Sequence, residues 1–281
     1  MKLAVLSGKG GTGKTFISVN LANSTENTDY FDCDVEEPNG DLFFQSKLIQ
    51  ELPVKVMLPS FDKEKCNACR ECVDACSFNA LALIGKDMLL FESICHSCGV
   101  CTFVCKQKAI SEVPKQTGVI KIGRSGDSKV VTGKLNMGEA IGVPVISGVL
   151  DLMDEDRNSV IDCPPGSACS VVESVQKADY CLLVAEPTSF GFHNFKMVEQ
   201  LARVLKKPFA VVVNKAESKN NIVSSYCKKN NIKVLETFLF NRKIAQDNSK
   251  GEICTSVDDK MKSRFSSLFD SINDDWQRSL K

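Results

Sequence analysis

At 281 residues the chain has room for one large domain or two unequal ones, and its 43% hydrophobic and 25% charged content is ordinary for a globular protein with a sizeable core. Lysine plus arginine equals aspartate plus glutamate, so the net charge is zero, which argues against a nucleic-acid binder with its basic footprint. Only Leu3–Leu6 is apolar before Ser7, too short a run for a signal peptide, and nothing approaches the length of a membrane span. A cytoplasmic location is therefore expected. There, fourteen cysteines read as thiolate ligands and buried small residues rather than disulfides. Two histidines, His96 and His193, are too few for a histidine metal site.

In chain order, Lys2–Leu6 reads as a strand, Gly8–Thr15 as a glycine-rich loop and Phe16–Ala22 as a helix. A second strand, Tyr30–Cys33, runs into the acidic segment Asp32-Cys33-Asp34. Pro53 and Pro59 suggest a linker over Leu52–Asp62. A cysteine block fills Phe61–Val113, with a strand at Met88–Phe91, and Pro114–Lys134 reads as strands returning to the main body. Strands at Val160–Asp162, Tyr180–Ala185, Phe209–Val213 and Lys233–Phe238 then alternate with helices at Ser170–Lys177, Asn194–Leu205 and Asn221–Lys229. That alternation predicts an α/β fold, a mostly parallel sheet flanked by helices, with a small α+β unit inserted into it. The boundaries follow as 1–57 and 114–281 for the main domain and 58–113 for the insertion.

Gly8-Lys9-Gly10-Gly11-Thr12-Gly13-Lys14-Thr15 fits the P-loop pattern in full and lies between a strand and a helix. Its glycines let successive N–H groups face phosphate oxygens, and the helix that follows adds its positive end. Lys14 is expected on the β- and γ-phosphates and the Thr15 hydroxyl on Mg²⁺. Asp34 and Asp162 stand at strand ends, where a metal–phosphate site needs carboxylates.

Lys9 within KGGTGKT resembles the deviant Walker A loop of the MinD/ParA group of ATPases, which includes the nitrogenase iron protein and Mrp-type iron–sulfur carriers. The resemblance implies that Lys9 crosses a dimer interface to the partner's nucleotide, acting as an arginine finger does. It implies that Asp34 orients the attacking water and that Asp162, in Ile161-Asp162-Cys163-Pro164-Pro165-Gly166, holds Mg²⁺ through water. It also implies that Asn214 faces the nucleotide base. Glu217 replaces the aspartate of the guanine-specific Asn-Lys-x-Asp pattern, which favours ATP over GTP.

Cys66, Cys69, Cys72 and Cys76 follow the bacterial ferredoxin spacing, and Cys95, Cys98, Cys101 and Cys105 repeat it 29 positions later. Two copies imply two 4Fe–4S clusters, each wrapped by three cysteines of one run with the fourth from the other. Cys66, Cys69, Cys72 and Cys105 are thus assigned to one cluster, and Cys95, Cys98, Cys101 and Cys76 to the other. Ser77 and Lys106 replace the prolines that usually follow the fourth cysteines. Structural zinc is the alternative, though it leaves the three-cysteine runs unexplained. Cys169 resembles in position a cluster ligand of the nitrogenase iron protein, but with no second bridging cysteine it is read as a buried structural residue. Cys33, Cys181, Cys227 and Cys254 are read as inert. Asp258–Lys281 places Met261, Phe265, Leu268, Phe269, Ile272 and Trp276 at helical spacing, and docking onto the core is expected rather than membrane contact.

The chain thus resembles a MinD/ParA-type ATPase with an inserted two-cluster ferredoxin domain. ATP hydrolysis coupled to electron transfer is the expected function, in a homodimer or a heterodimer with a related ATPase that meets a redox partner. An ATP-dependent cluster carrier with a recipient protein is the alternative, and a redox-sensing MinD/ParA-type switch a further one. No nucleic-acid or membrane partner is expected.

Overall fold

A computed structural model describes residues 1–280 of the chain; Lys281, the end of the expected C-terminal helix, lies outside them. The chain opens with β1 (Lys2–Leu6), α1 (Lys14–Ser24), β2 (Thr28–Asp32) and the short α2 (Gly40–Phe44). A long strand, β3 (Lys47–Phe61), leads out to a small unit of α3 (Glu71–Asp74), β4 (Leu81–Ile84), β5 (Asp87–Leu90) and α4 (Val100–Val104). From there β6 (Ile110–Ser125) leads back. The alternation resumes with β7 (Ser128–Leu135), α5 (Val143–Leu150), β8 (Asn158–Asp162), α6 (Cys169–Gln176), β9 (Tyr180–Ala185) and α7 (Ser189–Val204). It continues through β10 (Phe209–Ala216), α8 (Ile222–Lys229) and β11 (Val234–Leu239), and α9 (Arg242–Ser249), α10 (Cys254–Val257) and α11 (Asp259–Ser279) end it.

Nine strands form one sheet in the order β11-β10-β9-β1-β8-β2-β7-β6-β3, parallel from β11 to β7. Strands buried on both faces read as continuous apolar runs, and successive residues serve opposite cores. Leu3 and Val5 face the core under α1, α10 and α11, whereas Ala4 and Leu6 face the core under α5 to α8. Along α11, Met261, Phe265, Leu268, Phe269 and Ile272 recur at three and four residues and are all buried, so this helix is docked as its periodicity requires. Among the described residues no helix is long and apolar enough to cross a membrane.

Leu52–Asp62 is not a linker. It lies within β3 but for its last residue, and β3 pairs with β6 along its whole length. Pro53 and Pro59 are tolerated because β3 is the edge strand of the sheet and need not donate on its outer side. The 57/58 and 113/114 boundaries face one another across this hairpin, since Met57 pairs with Pro114 and Leu58 with Val113.

Two antiparallel pairings, β7 with β6 and β6 with β3, return β3 to the direction of the parallel strands. Its carboxyl end therefore points the same way as those of β1, β2 and β8. Val54 pairs with Gly118, which pairs with Leu135, the last residue of β7. Beyond that level β3 runs on to Phe61, carrying the cysteine-rich unit roughly 20 Å past the end of β7 at about 3.3 Å per residue.

The unit has internal twofold character at the 29-residue spacing. Helices α3 and α4 begin 29 positions apart, and the hairpin β4–β5 mirrors the tip of β3–β6. Asp62 donates its N–H to the Ala109 carbonyl and Phe91 donates to the Ala80 carbonyl, both at 2.8 Å.

Candidate functional site

The loop between β1 and α1 turns at Gly11 and Gly13, both in the left-handed region, and Gly13 caps the helix. A side chain at Gly13 would stand 2.2 Å from Asn214 Nδ2, and one at Gly8 2.1 Å from the Asn194 carbonyl oxygen. Only glycine fits at either place. Gly10, Gly11, Gly13, Lys14 and Thr15 line a cleft of about 1390 Å³, together with Lys9, Asp34 and Asn214. Thr12 lies beneath, its hydroxyl buried without a hydrogen-bond partner. Asn214, at the end of β10, donates its amide to the Thr12 carbonyl at 2.9 Å, and Lys215 reaches the Gly11 carbonyl at 2.6 Å. Both therefore hold the phosphate loop in shape.

Lys14 sits at the floor, its ammonium 2.5 Å from Asp162 Oδ1 and 3.5 Å from Asp34 Oδ2. Burial opposes its charge, but the two carboxylates outweigh burial and raise its pKa above the ordinary lysine value. Tyr30 donates its hydroxyl to Asp162 Oδ2 at 3.0 Å, so both oxygens of that carboxylate are held. Burial pushes the Asp34 pKa up while Lys14 draws it down, and the net shift is upward.

Asp32, the buried neighbour that sequence reasoning gave no role, organises the segment after β2. Its carboxylate accepts from the backbone N–H groups of Asp34 and Asn39, both at 3.1 Å, and of Gly40 at 2.8 Å. Burial and then the Asp162 charge push its pKa up to about 8, against the pull of Lys14. Glu186, just past β9, was also missed. It pairs with Lys9 at 2.8 Å, and the Lys9 ammonium stands 5.5 Å from the centre of the Phe190 ring. Its signal was available: an acid at the carboxyl end of a parallel strand, the same rule that marked Asp34 and Asp162.

On the arm, formed by the β3–β6 hairpin and the small unit it carries, Cys66, Cys69, Cys72 and Cys105 line one void, and Cys76, Cys95, Cys98 and Cys101 line another. Each void is small, about 20 Å³. The backbone around them repeats as well. Ala68 and Ser97, Arg70 and Gly99, and Asn79 and Lys108 are 29 positions apart, and all hold φ between 50° and 73°. Left-handed backbone at non-glycine residues costs energy and gathers at ligand-holding loops. Ala80 donates its N–H to Cys76 Sγ at 3.4 Å, and Ala109 to Cys105 Sγ at 3.3 Å. Burial pushes the Cys72 and Cys101 thiols up from the ordinary cysteine value.

Among the described residues no three His, Cys, Asp or Glu side chains converge tightly enough to hold a single ion. A cubane makes a different demand, because its four sulfur ligands surround four irons and so enclose a void. Four cysteines around each void, with backbone N–H groups on the fourth sulfurs, form a donor set that fits such a group.

Cys169 departs from expectation. It is exposed at the first position of α6, off the stripe Val171, Ser174 and Val175 that this helix buries. Cys33, Cys163, Cys181, Cys227 and Cys254 are buried.

A family model described as the CobQ/CobB/MinD/ParA nucleotide binding domain matches residues 3–253. Two uncharacterized proteins of Methanocaldococcus jannaschii are similar to the chain. MJ0579 is 29% identical, covering 81% of this chain and 90% of that protein, and MJ0578 is 31% identical over 79% and 80%. Among solved structures, the septum site-determining protein MinD of Pyrococcus horikoshii, complexed with Mg-ADP, superimposes with a TM-score of 0.59. It is 14% identical, covering 95% of this chain and 93% of that one, a likeness of fold.

Proposed function

The chain belongs to the CobQ/CobB/MinD/ParA nucleotide-binding family, and on that premise we propose that it is a Mg-ATPase whose arm, 58–113, holds two 4Fe–4S clusters and passes low-potential electrons under nucleotide control. What carries this reading is the grouping of the eight arm cysteines around two voids, three from one run and one from the other in each.

In the cleft, Lys14 and the loop N–H groups bind the β- and γ-phosphates, and Thr15 and Asp162 are the residues that would hold Mg²⁺, which would neutralise phosphate charge there. The Lys14–Asp162 pair suits this task, because Mg-nucleotide brings anions for the lysine and a cation for the carboxylate. Asp34 orients the water that attacks the γ-phosphorus, and the ADP oxygen leaves. Lys9 leaves Glu186 and meets the partner subunit's nucleotide, adding positive charge where negative charge develops. The dimer forms from identical chains or with a related ATPase.

The clusters supply reversible one-electron chemistry, and the chain's part is to bind, shield and tune them. Cys69 and Cys98 are the exposed member of each run, which brings an edge of each site to the surface. That exposure also favours a second reading, an ATP-dependent cluster carrier. Anaerobic purification followed by reduction and EPR separates the two. Clusters that cycle between oxidation states support electron transfer, whereas clusters lost on reduction or handed readily to apo-proteins overturn it.

A further inference from the structure

The acidic segment after β2 leads toward the arm through a short series of contacts. Val35 follows Asp34 directly, and its carbonyl accepts the Leu135 N–H at 2.9 Å. Val35 is buried and closely gripped: a side chain on Gly133 or on Gly142 would stand 2.8 Å from one of its methyl groups. Leu135 ends β7, and the next residue, Asn136, is pinned to the base of the arm. Its N–H bonds the Thr117 carbonyl at 2.8 Å and its side chain the Gln116 carbonyl at 3.0 Å. Asn136 also accepts the Glu139 N–H at 3.1 Å, which sets the turn that presents Glu139.

Lys115, on β6, lies between Glu139 at 2.8 Å and Glu92 at 3.0 Å. Glu92 belongs to the turn just before Cys95, and its carbonyl accepts the Cys95 N–H at 3.2 Å. Among the described residues, Lys115–Glu92 is the one ion pair that joins residues 62–109 to the rest of the chain. The other half of the arm has no equivalent. Glu92 corresponds in the repeat to Lys63, whose partner Asp87 lies within the arm itself, at 2.6 Å.

We propose that Lys115 is a positioning residue that ties the nucleotide switch at Asp34–Val35 to one of the two cysteine sites, the one lined by Cys76, Cys95, Cys98 and Cys101. The regulatory meaning rests on reading that site as a cluster site; the mechanical link does not. When the Asp34 segment changes its hold on nucleotide, Val35 carries Leu135 and the Asn136–Glu139 turn with it. Lys115 passes that displacement to the turn before Cys95. The Cys66 half is left unmoved, so nucleotide acts on the two sites unequally.

Hydrogen–deuterium exchange on the full chain, with and without a Mg-ATP analogue that resists hydrolysis, reads this directly. In the native chain the analogue slows exchange over residues 92–98 about threefold more than over 63–69, a size set by one partly exposed ion-pair network. Lys115→Met abolishes that difference and Lys115→Arg restores it. Glu139→Gln, on a different element, gives the same loss, and unchanged melting temperatures show that the variants are folded. Equal protection of both halves, no protection of either, or a difference that survives Lys115→Met overturns the proposal. Iron content is read on the same samples: a chain without iron sinks the cluster reading yet leaves the exchange result standing.

Discussion

Two double substitutions distinguish crossed from uncrossed cysteine sets. Cys72 and Cys105 are far apart in sequence but line the same void, whereas Cys72 and Cys76 share a run and line different voids. Cys72→Ala/Cys105→Ala therefore strips one site of two ligands and leaves the other with all four sulfurs. Iron falls to half, and what remains is one fully ligated cubane with the simple EPR signal of an isolated cluster. Cys72→Ala/Cys76→Ala removes one ligand from each site instead. No site keeps its four sulfurs, so the EPR shows three-thiolate clusters or none. The assay is iron and acid-labile sulfide per chain after anaerobic reconstitution, with EPR of the reduced protein. Melting of the ATPase body should barely change in either variant, because the arm stands roughly 20 Å beyond the end of β7. The opposite pattern, an intact cubane surviving in Cys72→Ala/Cys76→Ala, refutes the crossed arrangement. Zinc retained in place of iron refutes the cluster reading itself.

Lys14→Met leaves Asp162 and Asp34 without their cation, so it should abolish nucleotide binding in calorimetry and cost about 3–5 kcal/mol in chemical denaturation. Asp32 titrates near 8 in the fold against an ordinary 3.8, so the folded chain holds a proton there that the unfolded chain releases. Its contribution to stability is therefore lost as pH rises from about 4 through 8. Asp32→Asn, which imitates the protonated form, should flatten the stability profile across that window, and an unchanged slope in denaturation midpoints would contradict the assignment. Phe265→Ala should cost about 3–5 kcal/mol, because the ring is fully buried beneath α11 and packs against Phe238. Lys9→Ala should bind nucleotide almost as the native chain does but lose hydrolysis at all chain concentrations, since its task lies in the dimer.

The parts of this molecule legible in the sequence are those whose chemistry demands close spacing. The phosphate loop must pack glycines, Lys14 and Thr15 into eight residues, and three cysteines of each run line one void. Strand–helix alternation was legible too, because buried parallel strands are short apolar runs: Tyr180–Ala185 has the same bounds in sequence and structure. The β3 edge was not, because Pro53 and Pro59 signal a break unless the strand is known to lie at an edge, and edge position is a tertiary fact. Helix α5 escaped notice because Val143–Leu150 is apolar nearly all round and shows no helical period. The lack of a second bridging cysteine argues against a ligand role for Cys169 but says nothing of its burial, and the buried stripe of α6 passes beside it. Glu186 had a signal in its place at a strand end, but its pairing with Lys9, and those of Glu92 and Glu139 with Lys115, join residues distant in sequence and are set by the fold.

The central claim is that nucleotide and clusters share one free-energy balance, and such coupling must be reciprocal. The direct measurement is the affinity of the cluster-loaded protein for a hydrolysis-resistant Mg-ATP analogue, in oxidised and in reduced form. Affinities that differ by about fivefold or more, with both clusters intact, are predicted. Equal affinities in the two states, with iron and sulfide fully retained, would contradict it.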